Sequence, residues 1–262
     1  MRNRQIEFAG SFITALAFAS HLIFMGQYVQ QSVPVTLFLS AFLMSLAGYL
    51  YLRFTKGNIF HIMTFFSGIL FCIALWFYLH TCTISLKNGL SISAAGILVW
   101  MYHARVFLRR IRGNAFVKPA FIAVVWLLMI YFYIQQWDTL IYLQQFVFIH
   151  VLTIPFDIKD MKSDSFTTLP KLLGIPSARF LMIFLMVVYA ALSLIMPRAF
   201  MYTSFISAGV LIPSFFLSYT YQKLWVYVFY DGIIVLQTIL LYTLLYGVTL
   251  FGRQILLISH LF

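Results

Sequence analysis

Pro155-Phe156-Asp157-Ile158-Lys159-Asp160-Met161-Lys162-Ser163-Asp164, followed by Thr168-Leu169-Pro170 and Gly174, is the stretch on which the reading of this chain turns. The chain has six acidic residues, Glu7, Asp138, Asp157, Asp160, Asp164 and Asp231, and three of them fall within this stretch, at the end of a long apolar run. On a helix, offsets of three and seven place Asp157, Asp160 and Asp164 on one face. Like charges stacked this way repel unless a cation sits among them. Oxygen-only ligands beside lysines at a membrane edge suit Mg²⁺ shared with a phosphate. The competing reading is a solvated charged loop that ends a transmembrane helix.

Composition decides the class. The chain is 63% hydrophobic and 9% charged, with a mean hydropathy of +0.97. A soluble domain carries about 25% charged residues, so this is an integral membrane protein. Length and apolar runs predict one all-α membrane domain over residues 1–262 with nine transmembrane helices. The spans read as Phe8–Val29, Val33–Leu52, Ile59–Leu79, Leu90–Leu108, Ala115–Ile134, Thr139–Phe156, Ala178–Met196, Ala199–Leu217 and Leu224–Val248. They are continuous rather than alternating, which excludes barrel strands. Arg2 and Arg4 before the first run, with Ala17-Phe18-Ala19 inside it, mimic a signal peptide. Its apolar residues continue to Val29, which favours a retained helix.

The formal charge of +11 is scattered between spans and gives no nucleic-acid signature. With the N-terminus cytoplasmic, fourteen of the seventeen Lys and Arg fall on the inner side, as the positive-inside rule requires. That puts the acidic stretch at the cytoplasmic edge and the C-terminus outside. Cys72 and Cys82 form neither a disulfide framework nor a metal site, and Cys72 reads as a small packing residue mid-span. Asp157–Asp164 can extend the sixth helix outward, Thr167 and Thr168 mark a break, and Ser177 reads as the cap of the seventh helix.

The pattern Asp157-x-x-Asp160-x-x-x-Asp164, then Thr168-Leu169-Pro170 and Gly174, resembles the second aspartate-rich motif of the UbiA superfamily of intramembrane prenyltransferases. Lys118-Pro119 with Trp126 is similar to bacterial members. The resemblance implies a nine-helix bundle in the bacterial inner membrane. In it, a prenyl diphosphate is held through Mg²⁺ by two aspartate-rich motifs, and a lipophilic or aromatic acceptor attacks the allylic cation left behind. It implies Asp157, Asp160 and Asp164 as metal ligands, membrane lipids as surroundings and no nucleic-acid partner. The chain departs from the family where the first motif belongs. Ala47-Gly48-Tyr49-Leu50-Tyr51-Leu52-Arg53-Phe54-Thr55-Lys56 contains no acid, and none occurs between Glu7 and Asp138.

Arg53 and Lys56 are expected to meet the diphosphate directly, as cations rather than as metal ligands. Arg105 and Lys118, nearest the predicted membrane edge, are the other expected diphosphate contacts. Positive-inside anchoring is the alternative for the whole basic cluster. His150, seven residues before Asp157, is expected on the same face two turns deeper, as a pocket residue or as a hydrogen-bonded core histidine. Asp231, two turns into the last span beside Tyr227 and Tyr230, is costly at that depth and should face a partner or a wet cavity. Asp138, beside Trp137, reads as an interfacial loop acid. Three functions follow: an active prenyltransferase with a degenerate first motif; a non-catalytic relative that binds an isoprenoid, quinone or lipid, or partners another membrane protein; and a transporter. The last is weakest, because the acids cluster at one edge and form no relay across the bilayer.

Overall fold

A computed structural model describes residues 2–53, 60–83, 85–103, 114–161, 167–217 and 223–247, and these contain helices and no strands. In chain order they form α1 (Arg2–Tyr28), α2 (Val35–Arg53), α3 (Phe60–Thr81), α4 (Leu86–His103), α5 (Val117–Ile134), α6 (Thr139–Asp160), the short α7 (Leu169–Leu173), α8 (Ile175–Ser193) and α9 (Arg198–Ser214). The last span is composite. α10 (Lys223–Val226) runs through a π-helical turn, Tyr227–Asp231, into α11 (Gly232–Tyr242), and a second π turn follows at Thr243–Gly247.

Among the described residues, seven helices are long and apolar enough to cross a membrane. They correspond to seven of the nine spans read from the sequence. The other two are also helical, α4 over 18 residues and α9 over 17. Residues 104–108 of the expected fourth span lie outside the described residues.

α1 occupies the middle of the bundle and packs against α2, α5 and α11. Ala15, Ala17, Ala19 and Phe24 along it are fully buried. Its small residues let neighbouring backbones approach closely, the usual device for packing helices where lipid supplies no hydrophobic drive. Thr238 Oγ1 donates to the Ser20 carbonyl at 2.9 Å and ties α11 to α1. α1 is thus packed inside the bundle. The large apolar side chains left exposed, such as Phe65 and Trp76 on α3 and Phe180 and Phe184 on α8, are what a lipid-facing surface requires.

α6 continues through Pro155 and past Phe156 to Asp160, in line with the expected outward extension, and residues 162–166 lie outside the described residues. Proline removes one backbone donor, and here the packed surroundings of α6 carry the helix past it. Asp138 lies in the loop before α6, as expected, and also serves as its N-cap: its Oδ1 accepts from Leu140 N at 2.9 Å and Ile141 N at 3.2 Å. Ser177 does not cap α8, which already begins at Ile175 behind Gly174. Gly174 has φ 79, a conformation open to glycine and strained for other residues. It allows α7 to turn directly into α8. Cys72 is exposed on α3 rather than packed.

Candidate functional site

The alternation of α1, α2, α5, α6 and the last span brings five helix ends to one side of the bundle. They are the start of α1, the end of α2, the start of α5, the end of α6 and the start of the composite helix. Between them lies a cavity of about 480 Å³, inside the range of small-molecule sites. Its charged residues gather at those ends: Glu7 from α1, Lys118 from α5, and Asp157, Lys159 and Asp160 from α6. Tyr227 and Asp231 join them from the π turn. The rest of the wall is apolar, with Phe18, Met44, Val125, Trp126, Met129, Ile149, Leu152 and Ile234 among its residues. At 1.5 Å per residue, Lys118 to Met129 along α5 spans about 16 Å. Glu7 to Phe18 along α1 gives the same depth. The cavity thus has one charged end and a long greasy trunk.

Four of the six acids in the chain line this cavity, although they arise from three separate helices. Asp157 is 3% exposed and forms an ion pair with Lys118. Buried in this way, a carboxylate needs a hydrogen-bonded cation beside it. Lys159 Nζ lies 3.4 Å from Asp160 Oδ1 and donates to the Tyr227 hydroxyl at 3.0 Å. The ammonium also sits over the Tyr227 ring, 4.7 Å from its centroid, and 5.8 Å from that of Phe156. Such placement favours a cation electrostatically. The Tyr227 hydroxyl in turn donates to Glu7 Oε2 at 3.4 Å. Glu7, Tyr227, Lys159 and Asp160 therefore form one chain linking α1, the last span and α6. Deeper in, Thr14 Oγ1 lies 2.5 Å from Asp231 Oδ2. On the α2–α5 side, Trp126 Nε1 donates to the Tyr49 hydroxyl at 3.0 Å.

Of the residues singled out from sequence, Asp157, Asp160, Lys118 and Asp231 are brought together. Asp164, Lys56 and Arg105 lie outside the described residues, and Arg53 is described only as the last residue of α2. His150 does not line the cavity, contrary to the offset argument. The cavity face of α6 is Ile149, Leu152, Thr153, Phe156, Asp157 and Asp160. Asp157 lies at one edge of that stripe, and His150 falls roughly 20° further round, so its ring meets Phe146 at 5.9 Å. Asp231 meets a threonine of α1, Thr14.

Three residues were missed by sequence reasoning: Glu7, Thr14 and Lys159. A signal did exist for the first two. Glu7 is the only acid before Asp138, and Thr14 sits seven residues on, on the same face. Lys159, at the inner edge, reads from sequence as a topology charge. The α2 positions facing the cavity, Met44, Ser45, Gly48, Tyr49 and Leu52, contribute no carboxylate, as the missing first motif implies.

Among the described residues, no three His, Cys, Asp or Glu side chains come together closely enough to hold a metal ion by themselves. Mg²⁺ is commonly held by one or two carboxylates together with substrate phosphates. Asp157 and Asp160, one turn apart on α6 and both on the cavity wall, fit that donor set.

No protein-family model matches the sequence, and no curated protein matches it. The fold is similar to a solved structure of digeranylgeranylglyceryl phosphate synthase in membranes, with a TM-score of 0.51 at 12% identity. The match covers 92% of this chain and 96% of that one. The likeness extends over nearly the whole bundle and establishes the fold of an integral membrane protein.

Proposed function

We propose that this chain is a UbiA-type intramembrane prenyltransferase that transfers a prenyl group from an isoprenoid diphosphate to a lipophilic acceptor. The observation that carries the reading is the cavity: charged at one end, apolar for about 16 Å, and lined by four of the six acids in the chain. A prenyl diphosphate has the same polarity, an anionic head on a greasy tail. The fold shared with a membrane synthase whose product carries two geranylgeranyl groups supports the same class of substrate.

The charged end binds the head group and the trunk holds the tail. Lys118 and Lys159 supply ammonium donors to the phosphate oxygens, with Arg53, Lys56 and Arg105 as further cations from the same side. Asp157 and Asp160, with Asp164, would hold Mg²⁺, which when bound neutralises charge on the leaving diphosphate. The described cavity carries more acids than lysines, so an anionic head needs such added positive charge to enter. The enclosing helices exclude water from the allylic cation formed as diphosphate departs. By the charge distribution, this end of the bundle faces the cytoplasm, with the C-terminus outside and one domain over 1–262.

A second reading, a relative that binds an isoprenoid, quinone or lipid without transfer or serves as a partner protein, is favoured by one observation: the acid-free cavity face of α2. Purified protein incubated with Mg²⁺, radiolabelled geranylgeranyl diphosphate and a membrane lipid extract separates the two. Diphosphate release with a labelled lipid product supports transfer. Saturable binding with no release supports the second reading.

A further inference from the structure

Asp231 sits in the cavity below the charged end, and the prenyl-transfer reading gives it no role. It is 5% exposed and belongs to a membrane-spanning helix, where a carboxyl group is costly and marks function by default. It ends the π-helical turn Tyr227–Asp231, and single π turns inside α-helices are frequent at functional sites. Both Tyr227 and Asp231 line the cavity.

The contact between Asp231 and Thr14 suits a proton acceptor. Thr14 Oγ1 lies 2.5 Å from Asp231 Oδ2 and 2.8 Å from the Gly10 carbonyl oxygen. A hydroxyl has one proton to give and two lone pairs to offer. In one scheme Thr14 donates to an ionised Asp231. In the other a protonated Asp231 donates to Thr14, and Thr14 donates to Gly10 O. Both schemes satisfy this contact, so it persists when Asp231 takes up a proton. The remaining cavity carboxylates are differently placed. Asp157 and Asp160 each face a lysine, and Glu7 accepts from Tyr227, all at the end assigned to the head group.

We propose that Asp231, oriented by Thr14, receives the proton of the acceptor, and that the acceptor is a lipophilic compound bearing a free hydroxyl bound along α1 and the last span. The inference rests on the prenyltransferase reading. The acceptor oxygen attacks carbon 1 of the prenyl group, and a new C–O bond forms from an oxygen lone pair. The bond from carbon 1 to the phosphate oxygen breaks, and its electron pair leaves with diphosphate. The hydroxyl proton passes to the Asp231 carboxylate and later to solvent. Thr14 is the positioning residue.

The test uses the full chain in lipid nanodiscs, with Mg²⁺ and the unreactive analogue geranylgeranyl thiolodiphosphate bound first. Calorimetry then compares 4-butylphenol with its methyl ether, which has the same body and no proton to give. Wild type should bind the phenol roughly tenfold or more tightly than the ether, the worth of a charge-assisted hydrogen bond. Asp231→Asn should erase that preference while leaving thiolodiphosphate affinity within about twofold of wild type. With geranylgeranyl diphosphate and the phenol, its kcat should fall by at least roughly 100-fold, the usual contribution of a positioned base. Thr14→Val keeps the carboxyl and removes the hydroxyl that orients it, so it tests the same claim should Asp231→Asn fail to fold. It should lose most of the preference. No preference in wild type, or an unchanged preference in either folded variant, overturns the inference alone. Failure of wild type to bind the thiolodiphosphate overturns the prenyltransferase reading and this inference with it.

Discussion

Lys118→Met breaks the ion pair with Asp157 in a place where the consequence is computable. The two side chains are 14% and 4% exposed, and both are fixed by helices that also build the cavity wall. Breaking a buried ion pair by removing one partner costs about 3–5 kcal/mol, dominated by desolvation of the charge that stays. For a chain of this size each kcal/mol shifts Tm by roughly 2–4 °C, so the variant should melt roughly 6 °C lower or more. Lys118→Met/Asp157→Asn removes both charges. A neutral pair of similar shape at this site should recover most of the loss, because replacing a buried ion pair is often near neutral. The assay is thermal unfolding of wild type, both single variants and the double variant in the same detergent. The coupling energy from the cycle should be at least about 2 kcal/mol. Additive single effects, with the double variant the least stable of the four, would refute the claim that these charges meet in a buried site.

The remaining predictions concern the cavity walls and topology. A Cβ at Gly48 meets nothing within 4 Å, and Gly48 lines the cavity. Gly48→Ala should therefore leave stability within about 1 kcal/mol of wild type, while Gly48→Phe should keep the fold and reduce prenyl diphosphate affinity at least tenfold by filling the trunk, as read by equilibrium binding. Tyr227→Phe loses the hydroxyl that joins Lys159 at 3.0 Å and Glu7 at 3.4 Å. Thermal unfolding should show a loss of roughly 1–3 kcal/mol, the value of hydrogen bonds to charged groups. Cysteines introduced at Ser177 and at Gln136 should label from opposite sides of the membrane, with Ser177 cytoplasmic. Labelling of both from one side would overturn the topology.

The helical class and the α6 acids were legible because they depend on local signals. Apolar runs of bilayer length and helical offsets report on neighbours in sequence. Asp157, Asp160 and Lys118 emerged from such reasoning because each lies at a helix end. The pairing of Thr14 with Asp231 spans the chain from its first helix to its last, and no local pattern announces it. Glu7 stands alone among the acids before Asp138, but nothing near it in sequence shows that α1 runs through the middle of the bundle. Lys159 obeys the positive-inside rule and also turns inward onto Tyr227, and the rule cannot tell these apart. The His150 expectation failed because an offset of seven returns to the same face only approximately, and Asp157 already sits at the rim of that face. The π turns escape prediction because their cause lies in packing, not in propensity.

The most direct test of the account asks where a prenyl diphosphate lies. A photoreactive analogue with a benzophenone at the tail end, crosslinked in lipid nanodiscs with Mg²⁺ and mapped by mass spectrometry, reports this without need of an acceptor. Labels are expected on Phe18, Met129, Trp126 or Ile149 at the apolar end of the trunk. Excess unlabelled geranylgeranyl diphosphate should suppress them, and Lys118→Met should reduce them strongly. Labels confined to lipid-facing positions such as Phe65 or Phe180, and insensitive to competitor, would contradict the assignment of this cavity as the prenyl diphosphate site.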